Sequence, residues 1–473
     1  MSEGTRIRQC VIFGASGDLT TRYLLPAFAE LLENGKLPDG FHIQGVAPEE
    51  MDDETFRRHV AVRTRASGRP ALPDAFIGML HYVPGDVTNP TEVQQILRTL
   101  ERPLMAYLAI PPALFLPAVD ALASAGADTV SHVVVEKPFG TDLPSACALN
   151  ARLHKTFAER AVFRMDHFLG HQTVQNIIGL RFANRLFEPV WNAQHIERVE
   201  IVWDETITAA GRAGFYDRTG ALRDMLQNHL LQLLALVAME PPHSLDERVF
   251  RSRKADVLAA VPTLTPEEVV RHTVRGRYGP GHIDGRPVPG YLEEAGVDPE
   301  RQTETYAEVT LTIDNWRWAG VPFILRSGKA LGAGRRSIAV RFKCVPHLAF
   351  LQNPSVPPNV LELGLQPDRV TLHANVNGAG DRLILEPIAL EHTLPAQDLS
   401  AYARLLLDVL NGDPSLAIRD DEIEESWRIV TPILSAWADG SVPLVEYPAG
   451  SGGPGRSPGF NWLAGERSLR ARE

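Results

Sequence analysis

Three titratable side chains, Asp166, His167 and His171, fall within six residues in the stretch RMDHFLGHQTVQN (164–176), interleaved with Met165, Phe168 and Leu169. Ionisable groups set among packing residues suit proton transfer, anion binding or metal ligation. Histidine serves the first two because its unperturbed pKa lies near physiological pH. His167 and His171 are four apart, one turn of an α-helix, which is also a metal-ligand spacing. No HExxH pattern accompanies them and no third ligand is placed, so no metal is expected.

A second motif is the turn Gly14-Ala15-Ser16-Gly17-Asp18-Leu19, which follows an apolar run and opens a helical pattern. Glycines there let the backbone approach a pyrophosphate, and the helix start offers N–H groups to it. The spacing is GxxG rather than GxGxxG, and a plain turn capped by Asp18 has the same residues. Its place after the first strand of an alternating unit favours dinucleotide binding. Lys137, beside Pro138, follows the end of another apolar run; a lysine at the C-terminal edge of a buried strand faces the crevice where ligands bind.

These residues need elements to position them. QCVIFGAS, FHIQGVA, MLHYVPGDV, LMAYLAIPP and SHVVVEKP read as buried strands, with helical patterns such as LLPAFAELLENG and LFLPAVDALASAG between them. Strand–helix alternation predicts a parallel sheet with helices on both faces, an α/β domain over residues 1–165. From Asp166 the pattern changes. A long helix, YDRTGALRDMLQNHLLQLLALVAME, precedes alternating strands: in AEVTLTID, Val309, Leu311 and Ile313 point one way and Thr310 and Thr312 the other. VLELGLQ and RVTLHANV alternate likewise. That predicts a larger α+β domain over residues 166–450 with a mostly antiparallel sheet. The Gly-, Pro- and Ser-rich tail, 451–473, is expected to be poorly ordered.

The 473 residues carry a formal net charge of −11, which argues against a nucleic-acid or membrane-surface role. Cys10, Cys147 and Cys344 are scattered, so no disulfide framework is expected. The N-terminal stretch has no apolar signal core, and no apolar run is long enough to span a bilayer. A cytoplasmic location is the expectation.

Several motifs in the right order resemble the glucose-6-phosphate dehydrogenase family: GASGDL, VVVEKPFGTDLPSACALN, RMDHFLGHQTVQNIIGLRFAN, GRAGFYDRTGALRDMLQNHLLQLLALVAME, LRSGKAL, YARLLLD and DDEIEESWRIVTPIL. The resemblance runs from about Cys10 to about Pro454. It implies a Rossmann-like dinucleotide-binding domain followed by an α+β domain. It also implies oxidation of a hexose phosphate at C1 to a lactone, hydride transfer to NAD or NADP, a homodimer, and a place in carbohydrate metabolism through the pentose phosphate pathway.

Oxidising a hemiacetal hydroxyl requires a base for the O–H proton and an acceptor for the C–H hydride. The helix is apolar nearly all round after His229, which predicts burial. A buried imidazole needs a partner on its second nitrogen. By resemblance, His229 is the base and Asp166 the carboxylate that orients it. By the same resemblance Glu205 and Asp224 hold sugar hydroxyls, His167 and Lys329 meet the 6-phosphate, and Lys137 serves both substrate and cofactor. Asp224 and His229 are one and a half α-turns apart, so α-helix geometry alone does not aim them at one point.

Three departures from the family each remove a cation. Tyr23 stands for the usual lysine of the first helix, Pro48 for the arginine after the second strand, and His171 for a lysine; Phe168 replaces a tyrosine and Gln172 a glutamate. The missing arginine grips the 2′-phosphate of NADP in the family, while Glu49 and Glu50 sit where an acid accepts from a ribose 2′-OH. Use of NAD is therefore expected, unless Arg22 or another basic residue reaches in. The weakened phosphate clamp admits glucose 6-phosphate bound loosely, or another or unphosphorylated sugar. A non-catalytic regulatory paralogue is a further alternative.

Overall fold

The computed structural model describes residues 7–126, 132–349, 356–380 and 384–454. They form two compact units, Met1–Gln172 with Pro242–Arg253 and Gln397–Glu424, and Thr173–Pro241 with Lys254–Ala396 and Glu425–Glu473. The units are discontinuous in sequence, which a single cut at Asp166 does not describe. The expected tail lies outside the described residues from 455 onward. Residues 451–454 are described, and the Ser451 carbonyl accepts from the Gly332 N–H at 2.8 Å.

The first unit is built on β1 (Gln9–Phe13), β2 (His42–Ala47), β3 (Leu80–Pro84), β4 (Leu104–Leu108), β5 (His132–Glu136) and β6 (Val162–Met165), in the order β3-β2-β1-β4-β5-β6. Every pair is parallel. These strands are short apolar runs because both faces of a parallel sheet are covered. Strand order reverses beside β1, the place where such sheets bind ligands at their C-terminal edge.

The helix Ala401–Asn411 enters this unit from far along the chain. Ser400 caps it, and its apolar face (Leu405, Leu406, Val409, Leu410) joins a core containing Phe28 and Phe41. The Ser400 N–H and hydroxyl donate to the Glu30 carboxylate, each at 2.6 Å. Nothing local in the sequence indicates which core receives this helix.

The second unit carries β7 (Ile196–Asp204), β8 (Thr273–Gly279), the hairpin β9 (Gly281–Ile283) and β10 (Arg286–Val288), then β11 (Tyr306–Leu311), β12 (Phe323–Gly328), β13 (Arg336–Phe342), β14 (Val360–Leu365), β15 (Asp368–Asn377), β16 (Leu385–Thr393) and β17 (Leu444–Pro448). All but the hairpin form one sheet, β16-β15-β14-β13-β7-β12-β11-β8-β17. Its pairs are antiparallel except β7–β12 and β8–β17, so the sheet is mixed and mostly antiparallel. Val309, Leu311 and Ile313 are buried with Thr312 exposed, as alternation predicts. In β14 the alternation fails: Val360, Leu361, Leu363 and Leu365 are all buried.

The long helix begins later than its pattern suggests. Leu222–Leu230 is a wide π-helix and Leu231–Ala238 an α-helix. The last carbonyls are satisfied by long polar side chains: Trp191 donates to Val237, Trp318 to Ala238 and Arg181 to Leu236, at 2.8, 2.7 and 3.2 Å.

Candidate active site

In the first unit the candidate residues sit at one edge of the parallel sheet. Gly14 leaves β1 with φ +86°, and a Cβ there would stand 2.2 Å from the Ala109 carbonyl oxygen. Only glycine permits that approach. The Gly14 and Ala15 N–H groups donate to Val46 O at 2.8 and 3.1 Å, fixing the turn to β2. Ser16, Gly17, Asp18 and Leu19 then enter a helix whose first N–H groups have no intrahelical partner by geometry. This cradle fits a dinucleotide pyrophosphate.

Around the cradle, the Ser16 hydroxyl donates to the Glu49 carboxylate at 2.9 Å, and Tyr82 donates to Glu49 O at 2.6 Å. Arg63 pairs with Asp18 at 2.8 Å, and a His59 ring nitrogen lies 3.0 Å from Ser16 O. Arg22 and Arg69 lie over the Tyr23 ring, at 5.7 and 5.5 Å.

Glu136 and Met165 are register partners in β5 and β6, so Lys137 and Asp166 leave adjacent strands side by side. The Lys137–Pro138 bond is cis. Asp166 is 1 % exposed and accepts from the Phe168 N–H at 3.0 Å, capping the tight 3₁₀ turn His167–Gly170. His171 is extended and the next helix, Gln172–Phe182, starts after it. The two histidines are therefore not one α-turn apart; their rings lie 6.4 Å apart, at 61°. Phe168 is buried, edge-on to both rings. His167 stacks on Tyr402, nearly parallel at 5.7 Å. Gly170 allows this, since a Cβ there would meet Ala401 O at 2.4 Å. Tyr402, supplied by the distant helix, was not legible from sequence.

Glu136 is buried and accepts from the Tyr107 hydroxyl. Burial pushes its pKa up to about 7; Tyr107 and Lys137 oppose the rise, and the Asp166 charge adds to it. The folded chain thus keeps a proton that the unfolded chain loses in the ordinary carboxylate range. Stability falls as pH rises from that range to about 7, and is level above it. Glu136→Gln cannot ionise and is expected to remove this decline. Its melting temperature relative to wild type should rise between about pH 5 and about pH 8; a constant difference would contradict the assignment.

In the second unit, β7 and β12 run parallel with Asp204 opposite Gly328, so Glu205 and Lys329 also leave adjacent strands together. The Lys329 ammonium donates to the Glu205 carboxylate at 2.5 Å and lies 5.2 Å from the Tyr216 ring centroid. Arg336 stands 3.9 Å from Glu205 and over the Trp203 ring. Burial, with the Asp224 and Glu304 carboxylates, holds the Tyr216 phenol well above its ordinary range. Neither Arg336 nor Tyr216 carries a distinguishing sequence signal.

His229 is 1 % exposed on the wide helix. There i→i+5 bonding makes residues five apart neighbours on successive turns. Asp224 and His229 are such a pair, so the α-helical spacing argument does not apply to them.

The chain matches two family models: "Glucose-6-phosphate dehydrogenase, NAD binding domain" over residues 11–176, and "Glucose-6-phosphate dehydrogenase, C-terminal domain" over residues 178–462. It is 42 % identical to a glucose-6-phosphate 1-dehydrogenase of Mycolicibacterium smegmatis over 94 % of each chain. It is 41 % identical to one of Treponema pallidum, covering 94 % of this chain and 91 % of that one. The crystal structure of the Mycobacterium avium enzyme superposes with a TM-score of 0.83 at 36 % identity, over 95 % of this chain and 96 % of that one. A glucose-6-phosphate dehydrogenase in complex with its substrate superposes at 0.86 and 32 % identity, over 97 % of both.

Proposed function

The chain belongs to the glucose-6-phosphate dehydrogenase family, and on that premise we propose that it oxidises the C1 hydroxyl of glucose 6-phosphate to the lactone, with NAD or NADP as acceptor. What carries the reading is that Lys137, Asp166, His167, Glu205, Asp224 and His229 are all present in a chain matched across both family domains.

His229 takes the C1 hydroxyl proton as the hydride leaves C1. Asp166 holds the imidazole in the required tautomer and stabilises the imidazolium that forms. Glu205 and Asp224 accept from sugar hydroxyls, and the ion pair with Lys329 holds Glu205 in place. His167, held flat by Tyr402, meets the 6-phosphate with His171 and Lys137 beside it. Gly14, Ser16, Gly17, Asp18 and Leu19 hold the dinucleotide, whose nicotinamide supplies the hydride acceptor when bound. Glu49 accepts from a ribose 2′-OH and disfavours a 2′-phosphate, so NAD is the preferred cofactor.

The same reading makes the protein a cytoplasmic homodimer. Its cysteines are free thiols, and no helix among the described residues is long and apolar enough to cross a membrane.

Reduced-nicotinamide absorbance tests the reading, with a panel of aldoses and aldose phosphates against both cofactors. Turnover greatest with glucose 6-phosphate supports it. Turnover confined to an unphosphorylated sugar, or none at all, rejects it. The phosphate clamp has its own test. His171→Lys with Phe168→Tyr restores a permanent cation and a hydroxyl donor, each worth roughly 0.5–3 kcal/mol. It is expected to lower KM for glucose 6-phosphate by about tenfold or more; an unchanged or raised KM contradicts the role given to His171.

A further inference from the structure

We propose that Glu304 is the positioning residue for the catalytic helix: it anchors the start of Leu222–Leu230 and thereby fixes where Asp224 and His229 point. The inference rests on the reading of His229 as the base. Glu304 is 7 % exposed and meets the helix start with two different oxygens. Its carboxylate accepts from the Leu222 N–H at 2.9 Å, and its backbone carbonyl accepts from the Ala221 N–H at 3.2 Å. Both donors belong to the first turn, where N–H groups have no intrahelical partner. A carboxylate there also opposes the positive end of the helix dipole.

Gly220 is shaped by this contact. Its φ is +72°, and a Cβ there would stand 2.3 Å from Glu304 Oε1 and 2.7 Å from Cδ. The glycine in RTGALRDM is thus required twice, by its left-handed backbone and by the carboxylate lying on it. Burial raises the Glu304 pKa, while the Leu222 N–H and the Arg223 and Arg275 charges favour its ionised form.

The next residue extends the anchor to the other site element of the unit. Thr305 O accepts from the Lys329 N–H at 2.9 Å, and the Thr305 side chain accepts from the Tyr278 N–H at 3.0 Å. One dipeptide, Glu304-Thr305, therefore holds both the helix bearing Asp224 and His229 and the turn bearing Lys329, which pairs with Glu205. A shift of that dipeptide displaces four proposed site residues at once.

A double-substitution cycle on the full chain tests this, with glucose 6-phosphate and NAD as the probes. Glu304→Ala is expected to lower kcat by about 10- to 100-fold, the scale of a displaced catalytic group. Glu304→Gln keeps an acceptor for Leu222 and should return kcat to within about threefold of wild type. Gly220→Ala, which pushes the carboxylate off the helix start, should lower kcat as Glu304→Ala does. In a His229→Asn background, Glu304→Ala should cost clearly less than it does in the wild type, because the part of its effect that runs through His229 is already gone.

A purely structural role predicts a lower melting temperature with kcat per folded enzyme unchanged, and that result overturns the proposal. So does a loss that multiplies fully with His229→Asn. If Glu304→Ala does not fold, Gly220→Ala carries the same cycle with the same two outcomes. His229→Asn at wild-type kcat rejects the base assignment and this inference with it, whereas a low His229→Asn with an additive Glu304 effect rejects this inference alone.

Discussion

Replacing His229 by asparagine is expected to lower kcat by about 10²- to 10⁴-fold, the contribution of a positioned general base. KM for glucose 6-phosphate and for either cofactor should change far less. The imidazole is asked to accept a proton only as C1 is oxidised, and an interaction made only in the transition state appears in kcat. Asparagine is the informative replacement because it is polar and smaller than histidine. His229 is buried on a helix whose flanking leucines are buried as well. A large apolar residue there would confound lost chemistry with overpacking. Steady-state kinetics of the purified variant, with its melting curve as a control for folding, measures the effect. A variant that keeps more than about a tenth of wild-type kcat is incompatible with a base worth 10²-fold or more.

The second large effect is expected at the cofactor turn. Pro48→Arg combined with Glu49→Gln should raise the ratio of kcat/KM for NADP over NAD by about ten- to a hundredfold, from a wild type expected to prefer NAD. A charge-assisted hydrogen bond to the 2′-phosphate is worth roughly 1.5–3 kcal/mol, which is that factor in affinity. Pro48 and Glu49 follow the last residue of β2 and are exposed. The Glu49 carboxylate is held by the Ser16 hydroxyl of the glycine turn itself. Three nearby cations have other partners: Arg63 pairs with Asp18, while Arg22 and Arg69 lie over Tyr23. Kinetics with both cofactors decides it. A wild type that clearly prefers NADP, or a variant whose ratio does not move, would contradict the roles given to Pro48 and Glu49.

What the sequence made legible follows from how local each signal is. The strand–turn–helix around Gly14 was readable because a strand buried on both faces is a short apolar run, and its turn needs glycine. The strand Val162–Met165 was missed: it has four residues, and the buried Arg164 breaks its apolar run. The histidine spacing misled because 167–170 is a tight turn rather than an α-helix. The Asp224–His229 spacing misled in the opposite sense. A 3.6-residue turn separates the two, and a wide helix brings them back into neighbouring turns. Tyr402 and Glu304 act on site elements from 235 and 82 positions away, respectively. Nothing local in YARLLLD or QTETY announces such contacts, although Gly220 marks where the second one lands.

Asp166 and His229 belong to different units, so their partnership is the claim on which the whole reading turns, and a kinetic cycle tests it most directly. Asp166→Asn, His229→Asn and the pair together are compared by kcat with glucose 6-phosphate. If Asp166 works by orienting His229, the double variant should fall within about threefold of His229→Asn alone, since the two act as one unit. Losses that multiply, or an Asp166→Asn enzyme with wild-type kcat, would show that the two residues do not form the catalytic pair.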